Sequence, residues 1–162
     1  MEEGYELIEQ QLDSQRNLSL LVLKETKVEN TFIDDLAANI RKKSMAREIV
    51  SVAIRLAERG TAWALECKVL KRLHCDGGTL AIYELKIHRS VYRVMTYLHN
   101  DVSRTPVLLF AFSGHTSKKA GGIRKEELKR GQRLAAIAKR LMEEELEETE
   151  HDTERKEPRV AS

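Results

Sequence analysis

At 162 residues, 41% of them hydrophobic, the chain has material for one sizeable core plus appendages. No apolar run approaches the length that spans a bilayer, and no cationic stretch followed by an apolar block opens the chain, so neither a membrane span nor a secretory signal is expected. A net charge of +2, from 28 Lys and Arg against 26 Asp and Glu, conceals a sharp asymmetry near the C-terminus. Lys118, Lys119, Arg124, Lys125, Lys129, Arg130, Arg133, Lys139 and Arg140 crowd one segment; Glu143, Glu144, Glu145, Glu147, Glu148, Glu150 and Asp152 crowd the next. The first block suits a polyanion, and the second reads as a solvated tail without fixed structure. Cys67 and Cys75 lack the spacing and companion ligands of a zinc site and are read as free thiols.

In chain order, residues 1–17 are mostly polar and read as a loose helix or an arm. Leu18–Glu25 is the first strand. Asn30 or Thr31 caps a helix with Phe32, Leu36 and Ile40 on one stripe. A second helix starts near Ser44, turns Ile49, Val52, Ala53 and Leu56 inward, and stops at Gly60, a C′ glycine. Together the two helices make a hairpin packed on the sheet. Trp63–Leu73 is ambiguous between helix and irregular packing, with Trp63 in the core. Asp76-Gly77-Gly78 is a turn.

Leu80–His115 then reads as three consecutive antiparallel strands. On the first, Ala81, Tyr83, Leu85 and Ile87 face one way and Glu84, Lys86 and His88 the other. The second carries Arg93, with Tyr92 assigned to packing. The third, Val107–Phe112, has no polar face and reads as a buried central strand that leads to His115. Gly121-Gly122 precede a last helix from about Lys125 to Glu148, with Leu128, Leu134, Ile137, Ala138 and Leu141 inward. Beyond it, charge and Pro158 point to an unstructured tail. The order predicts an α+β fold: an antiparallel sheet with an N-terminal helical hairpin and a C-terminal helix. Its units are an arm (1–17), one domain (18–142) and an acidic tail (143–162).

The succession of LAERG (Leu56–Gly60), LKRL (70–73), YELKI (83–87), YRV (92–94), an apolar strand and a basic loop before a helix resembles the RelE/HigB-type toxins of bacterial toxin–antitoxin pairs. The resemblance spans about Leu18 to Leu141. It implies a RelE-like sandwich, a cytoplasmic ribonuclease that cuts mRNA on the ribosome without a metal or other cofactor, and an antitoxin protein that neutralises it in a hetero-oligomer. By resemblance, Lys86 is the basic residue ending the YELK-type strand, Arg93 contacts phosphate, and His115 follows the last buried strand where some relatives carry a catalytic histidine. Lys118 and Lys119 are similar to a KK pair, set several residues further from Phe112 than the pattern has it. The family's cation two residues before Lys86 is Glu84 here.

Attack by a ribose 2′-hydroxyl needs a group to take a proton, one to give a proton to the leaving oxygen, and cations for the phosphorane. His88 and His115 are the acid–base candidates, because imidazole changes charge near neutral pH. Arg93 holds phosphate bidentately without losing charge, and Lys86 stabilises developing charge. Lys118, Lys119, Arg124 and Lys125 are the expected RNA contacts. Two other readings stand beside this one. Glu84-Leu85-Lys86 with Asp76 is the pattern of a metal-dependent nuclease, with two carboxylates on Mg²⁺ and a lysine assisting water. A non-catalytic module that holds RNA or a protein through the basic helix is the other, favoured by Glu84 in place of a cation. Arg93 taken alone also reads as one half of a cross-strand ion pair with Glu84.

Overall fold

A computed structural model describes residues 4–73, 80–87, 92–99, 105–113 and 125–156. Among them are six strands and three helices: β1 (Tyr5–Asp13), β2 (Leu18–Glu25), α1 (Phe32–Ala38), α2 (Lys43–Glu66), β3 (Leu70–Leu73), β4 (Ile82–Lys86), β5 (Tyr92–Leu98), β6 (Pro106–Ser113) and α3 (Lys125–Lys156). The strands form one mixed sheet in the order β1-β2-β6-β5-β4-β3. Every neighbouring pair is antiparallel except β2–β6, which is parallel. The fold is α+β, as expected. The sheet is not purely antiparallel, and the helical pair is not N-terminal: α1 and α2 follow the β1–β2 hairpin and precede β3 to β6.

That hairpin replaces the expected arm or loose helix. Tyr5 to Gln11 pair residue for residue with Glu25 to Ser19. The turn is set by Asp13, whose carboxylate accepts from the backbone N–H of Gln15 (3.0 Å) and Arg16 (3.2 Å) and pairs with Arg16 Nε at 2.7 Å. Asn17 closes it at φ 53°, a conformation asparagine tolerates. The polar composition that hid β1 suits an edge strand.

Thr31 caps α1, with Oγ1 accepting from the Asp34 N–H at 3.3 Å and donating to Gln10 Oε1 at 2.7 Å. Ile40 does not extend the apolar stripe: α1 ends at Ala38, and Ile40 is 92% exposed. The local reason is Asn39, whose Oδ1 accepts from the Arg41 N–H at 3.0 Å and offers the backbone an alternative to the helix. Gly60 interrupts α2 at φ 87°, ψ 169°, but does not end it; the chain resumes helix to Glu66 with Thr61 and Ala64 buried. The ambiguous stretch then resolves into this helical end, Lys68 at φ 60°, and the short β3. Trp63 is half-buried at the core's margin, with the Arg59 guanidinium 5.0 Å over its ring.

Two apolar clusters sandwich the sheet. On one face Tyr83, Leu85, Ile87, Val94 and Leu108 meet Met45, Ile49, Val52, Ala53 and Leu56 of α2. On the other Ile82, Met95, Tyr97, Val107, Leu109, Phe110 and Phe112 meet Leu134, Ala135, Ala138 and Leu141 of α3. Coverage on both sides is why β6 carries no polar face. The register shifts opposite Met95 and Thr96 of β5, where Leu109 is the extra residue of a bulge in β6 and has no directly opposed partner. Leu109 and Phe110 therefore both point toward α3, where strict alternation would have separated them. Helix α3 starts where expected but continues past Glu148 to Lys156, through much of the stretch read as an unstructured tail.

Candidate functional site

The clearest concentration of unburied charge on the sheet lies at one end of the α3 face. Alternation along β4 sends Tyr83, Leu85 and Ile87 toward α2, so Ile82, Glu84 and Lys86 take the opposite face. The same alternation along β5 puts Arg93, Met95 and Tyr97 on that face. The register pairs Lys86 directly with Arg93, and Arg93 in turn with Phe112 on β6. Both cations are half-buried. Arg93 Nη1 donates to its neighbour's carbonyl, Tyr92 O, at 2.8 Å, and the Lys86 N–H donates to Val69 O at 2.8 Å.

Glu84 sits opposite Met95 and one diagonal step from Arg93, and is 7% exposed. Its partner on the other side is Lys71 of β3, an exposed lysine that shares its face. Three adjacent strands thus supply Lys71, Lys86 and Arg93 around one buried carboxylate. Lys71 escaped the sequence reading because β3 was not recognised as a strand.

The remaining expected site residues divide in two. Lys125 is described: it is exposed and begins α3. His88, His115, Lys118, Lys119 and Arg124 lie outside the described residues, as does Asp76 of the metal-nuclease reading. In the chain His88 follows the last residue of β4 by two positions and His115 follows β6 by two. Lys86 ends β4 and Arg93 lies opposite it, so both histidines are joined through the sequence to the charged end of the sheet. Among the described residues no group of three His, Cys, Asp or Glu side chains could hold a metal ion.

Helix α3 adds a feature that composition alone did not resolve. Lys125, Lys129, Arg133 and Arg140 are all exposed and, at 100° per residue, lie opposite the Leu134–Ala138–Leu141 stripe. Arg130 stands apart from them, its guanidinium 4.1 Å over the Phe110 ring. The basic segment is therefore an outward-facing stripe, and the strip of cations runs away from the Lys86–Arg93 end along the helix.

A second polar group, also missed in the sequence, lies at the opposite end of β5. Tyr97 and His99 are buried, with the phenol oxygen 3.1 Å from His99 Nδ1. Burial pushes the Tyr97 hydroxyl up to about 12, with the Glu143 carboxylate adding to the effect. Burial also holds His99 below the ordinary imidazole value; Glu143 opposes this shift and Lys139 reinforces it. Six residues of strand, about 20 Å, separate His99 from Arg93, so the two groups cannot serve one reaction centre. His99 is a core histidine under α3.

Chemically, the Lys86–Arg93 end offers fixed positive charge beside an aromatic ring, suited to a phosphodiester. Among the described residues no histidine stands beside it, and the nearest carboxylate, Glu84, is buried. No helix is long and apolar enough to cross a membrane among the described residues. Comparison with family models, curated proteins and solved structures finds no match for this chain.

Proposed function

We propose that the chain is a RelE/HigB-type toxin, a cytoplasmic endoribonuclease that cuts mRNA on the ribosome and is neutralised by an antitoxin protein. The observation that carries this reading is the direct pairing of Lys86 with Arg93 at one end of β4 and β5; in the chain His88 follows β4 by two positions and His115 follows β6, whose last residue, Ser113, pairs with Tyr92 of β5. With β1 and β3 at the two edges set aside, the elements run strand, two helices, three strands and helix, the order read from the sequence, and this supports the reading. The outward basic stripe of α3 supports contact with an RNA backbone.

In the proposed reaction the ribose 2′-oxygen attacks the adjacent phosphorus and the bond from phosphorus to the 5′-oxygen breaks. The products are a 2′,3′-cyclic phosphate and a 5′-hydroxyl. One of His88 and His115 takes the 2′-proton and the other protonates the leaving 5′-oxygen. Arg93 and Lys86 hold the phosphate and stabilise the charge that grows on its equatorial oxygens. Lys118, Lys119, Arg124 and Lys125 contact the flanking backbone. No metal takes part.

One observation favours a second reading. Glu84 occupies the position where the resemblance calls for a cation, and it is buried, so this position offers RNA no cation and almost no surface. A non-catalytic module that binds RNA through α3 accounts for that substitution.

Primer extension on a message in a purified translation reaction separates the readings, run with and without ribosomes, with and without EDTA, and with Arg93→Ala beside the wild type. The toxin reading expects ribosome-dependent cuts that survive EDTA and fall by about 10²-fold or more in Arg93→Ala. Cuts on naked RNA abolished by EDTA point instead to the metal-dependent nuclease with Asp76, Glu84 and Lys86. An intact message from a protein that still binds RNA leaves the binding module.

A further inference from the structure

Helix α2 carries more apolar surface than the sheet uses. Met45, Ile49, Val52, Ala53 and Leu56 form its buried stripe. At 100° per residue, Val50 lies more than 90° from the centre of that stripe and Ile54 nearly opposite it. Ile54 belongs to neither core cluster. The two line a groove of about 530 Å³ on the outer side of α2, walled by Ala37 of α1 and Arg16 of the β1–β2 turn.

Cations rim this apolar floor. Lys43, Arg47 and Arg55 are exposed, and among the described residues none of them meets a carboxylate. The groove's own carboxylate, Glu58, is already engaged: Arg16 Nη1 lies 2.6 Å from its Oε2, while Arg16 Nε pairs with Asp13 at 2.7 Å. The hairpin turn thus ties up the acid that would otherwise neutralise the rim. Three cations are left around half-buried aliphatic carbon, Val50 packing in part on the core and Ile54 outside it.

We propose that this groove is the docking site for an acidic amphipathic helix of a partner protein. An occupant must bring carboxylates and aliphatic side chains together, which a helix does by carrying them on adjacent stripes. Lys43 to Arg55 spans about 18 Å along α2, the length of a helix of three to four turns. RNA matches the rim but leaves the Val50–Ile54 floor uncovered. The chain's own acidic end matches the charge too, yet beyond Met142 it contains only Leu146 as a large aliphatic residue before Val160. An acidic helix with its own apolar stripe satisfies both surfaces.

The groove opens on the α1–α2 side of the sheet, whereas Lys86 and Arg93 face α3. A partner held here leaves the charged end of the sheet open, and the inference does not depend on the nuclease reading. The test is fluorescence anisotropy of the full chain with a labelled synthetic 18-residue helix bearing glutamates on one stripe and leucines on the next. A scrambled peptide of the same composition serves as the control.

Arg47→Glu with Arg55→Glu is expected to weaken binding at least tenfold, and Ile54→Asn several-fold, with thermal unfolding unchanged at these exposed or half-exposed positions. Raising salt weakens the wild type toward the level of the charge variant. Equal binding of the scrambled peptide, or no effect of these substitutions, overturns the proposal. So does finding that they alter only binding of a short oligoribonucleotide or self-association in sedimentation, since the groove then serves RNA or a second copy. RNA cutting measured on the same variants keeps failure here distinct from failure of the nuclease reading.

Discussion

Gly131 sets how closely α3 lies on the sheet, and replacing it tests the packing directly. A Cβ at this position meets Met95 Cε at 2.9 Å, Met95 Sδ at 3.0 Å and Ile82 Cδ1 at 3.2 Å. Two effects oppose each other in Gly131→Ala. Helix propensity favours alanine by about 1 kcal/mol. Overpacking a filled core costs about 1–3 kcal/mol. The closest atoms end a flexible side chain, which normally moves aside cheaply. Here Met95 and Ile82 are both 0% exposed, pinned between α3 and the strands, so there is no open space for the thioether to enter. The cost therefore exceeds the gain, and Gly131→Ala is expected to destabilise the protein by about 1 kcal/mol. In urea this is a midpoint lowered by about 0.5–1 M at an ordinary m-value of about 1–2 kcal/mol/M. Met95→Ala should relieve the clash, which the two opposing effects put at about 2 kcal/mol, so the double variant should be about 2 kcal/mol more stable than the sum of the singles predicts. A Gly131→Ala protein more stable than wild type, or strictly additive singles, would refute the close approach and make Gly131 an ordinary helix glycine.

Gly60 should be equally intolerant for a backbone reason: φ 87° with ψ 169° is a region open essentially to glycine alone, so Gly60→Ala should cost about 1–3 kcal/mol in urea unfolding although nothing crowds its Cβ. His99 predicts a pH dependence. Its folded-state pKa lies below the ordinary imidazole value, so below pH about 6.5 the unfolded chain takes up the proton first. Stability is then full above that pH and falls as the pH drops toward the folded pKa. Thermal unfolding between pH 5 and 7.5 should show a slope that His99→Gln reduces; a profile identical in the variant would dismiss His99 as its source.

Much of the architecture was legible because short-range patterns carry it. The apolar period of Ile49, Val52, Ala53 and Leu56 places α2, the alternation of Tyr83, Leu85 and Ile87 orients β4, and the unbroken run Val107–Phe112 marks a strand covered on both faces. The same alternation puts Lys86 on the face of β4 opposite Tyr83, Leu85 and Ile87. The polar β1 was not legible, because an edge strand needs little apolar surface and its pairing with β2 is a long-range event. Gly60 marks a real break in helical backbone, as local rules have it; what they do not show is that a second helical run, with Thr61 and Ala64 buried, follows without a loop.

Sequence by itself determined which residues are charged, which periods they follow, and that histidines come just after two strands. Only the tertiary structure decided that Lys86 opposes Arg93, that Lys71 joins them, and that Glu84 is buried between. It alone separated His99 from that end by the length of a strand and left a half-buried Ile54 among Lys43, Arg47 and Arg55, which meet no carboxylate among the described residues. The physical reason is the same in each case. Side-chain direction follows from local backbone geometry, but neighbours across a sheet or between a helix and a turn come from register and packing, which link residues far apart in the chain.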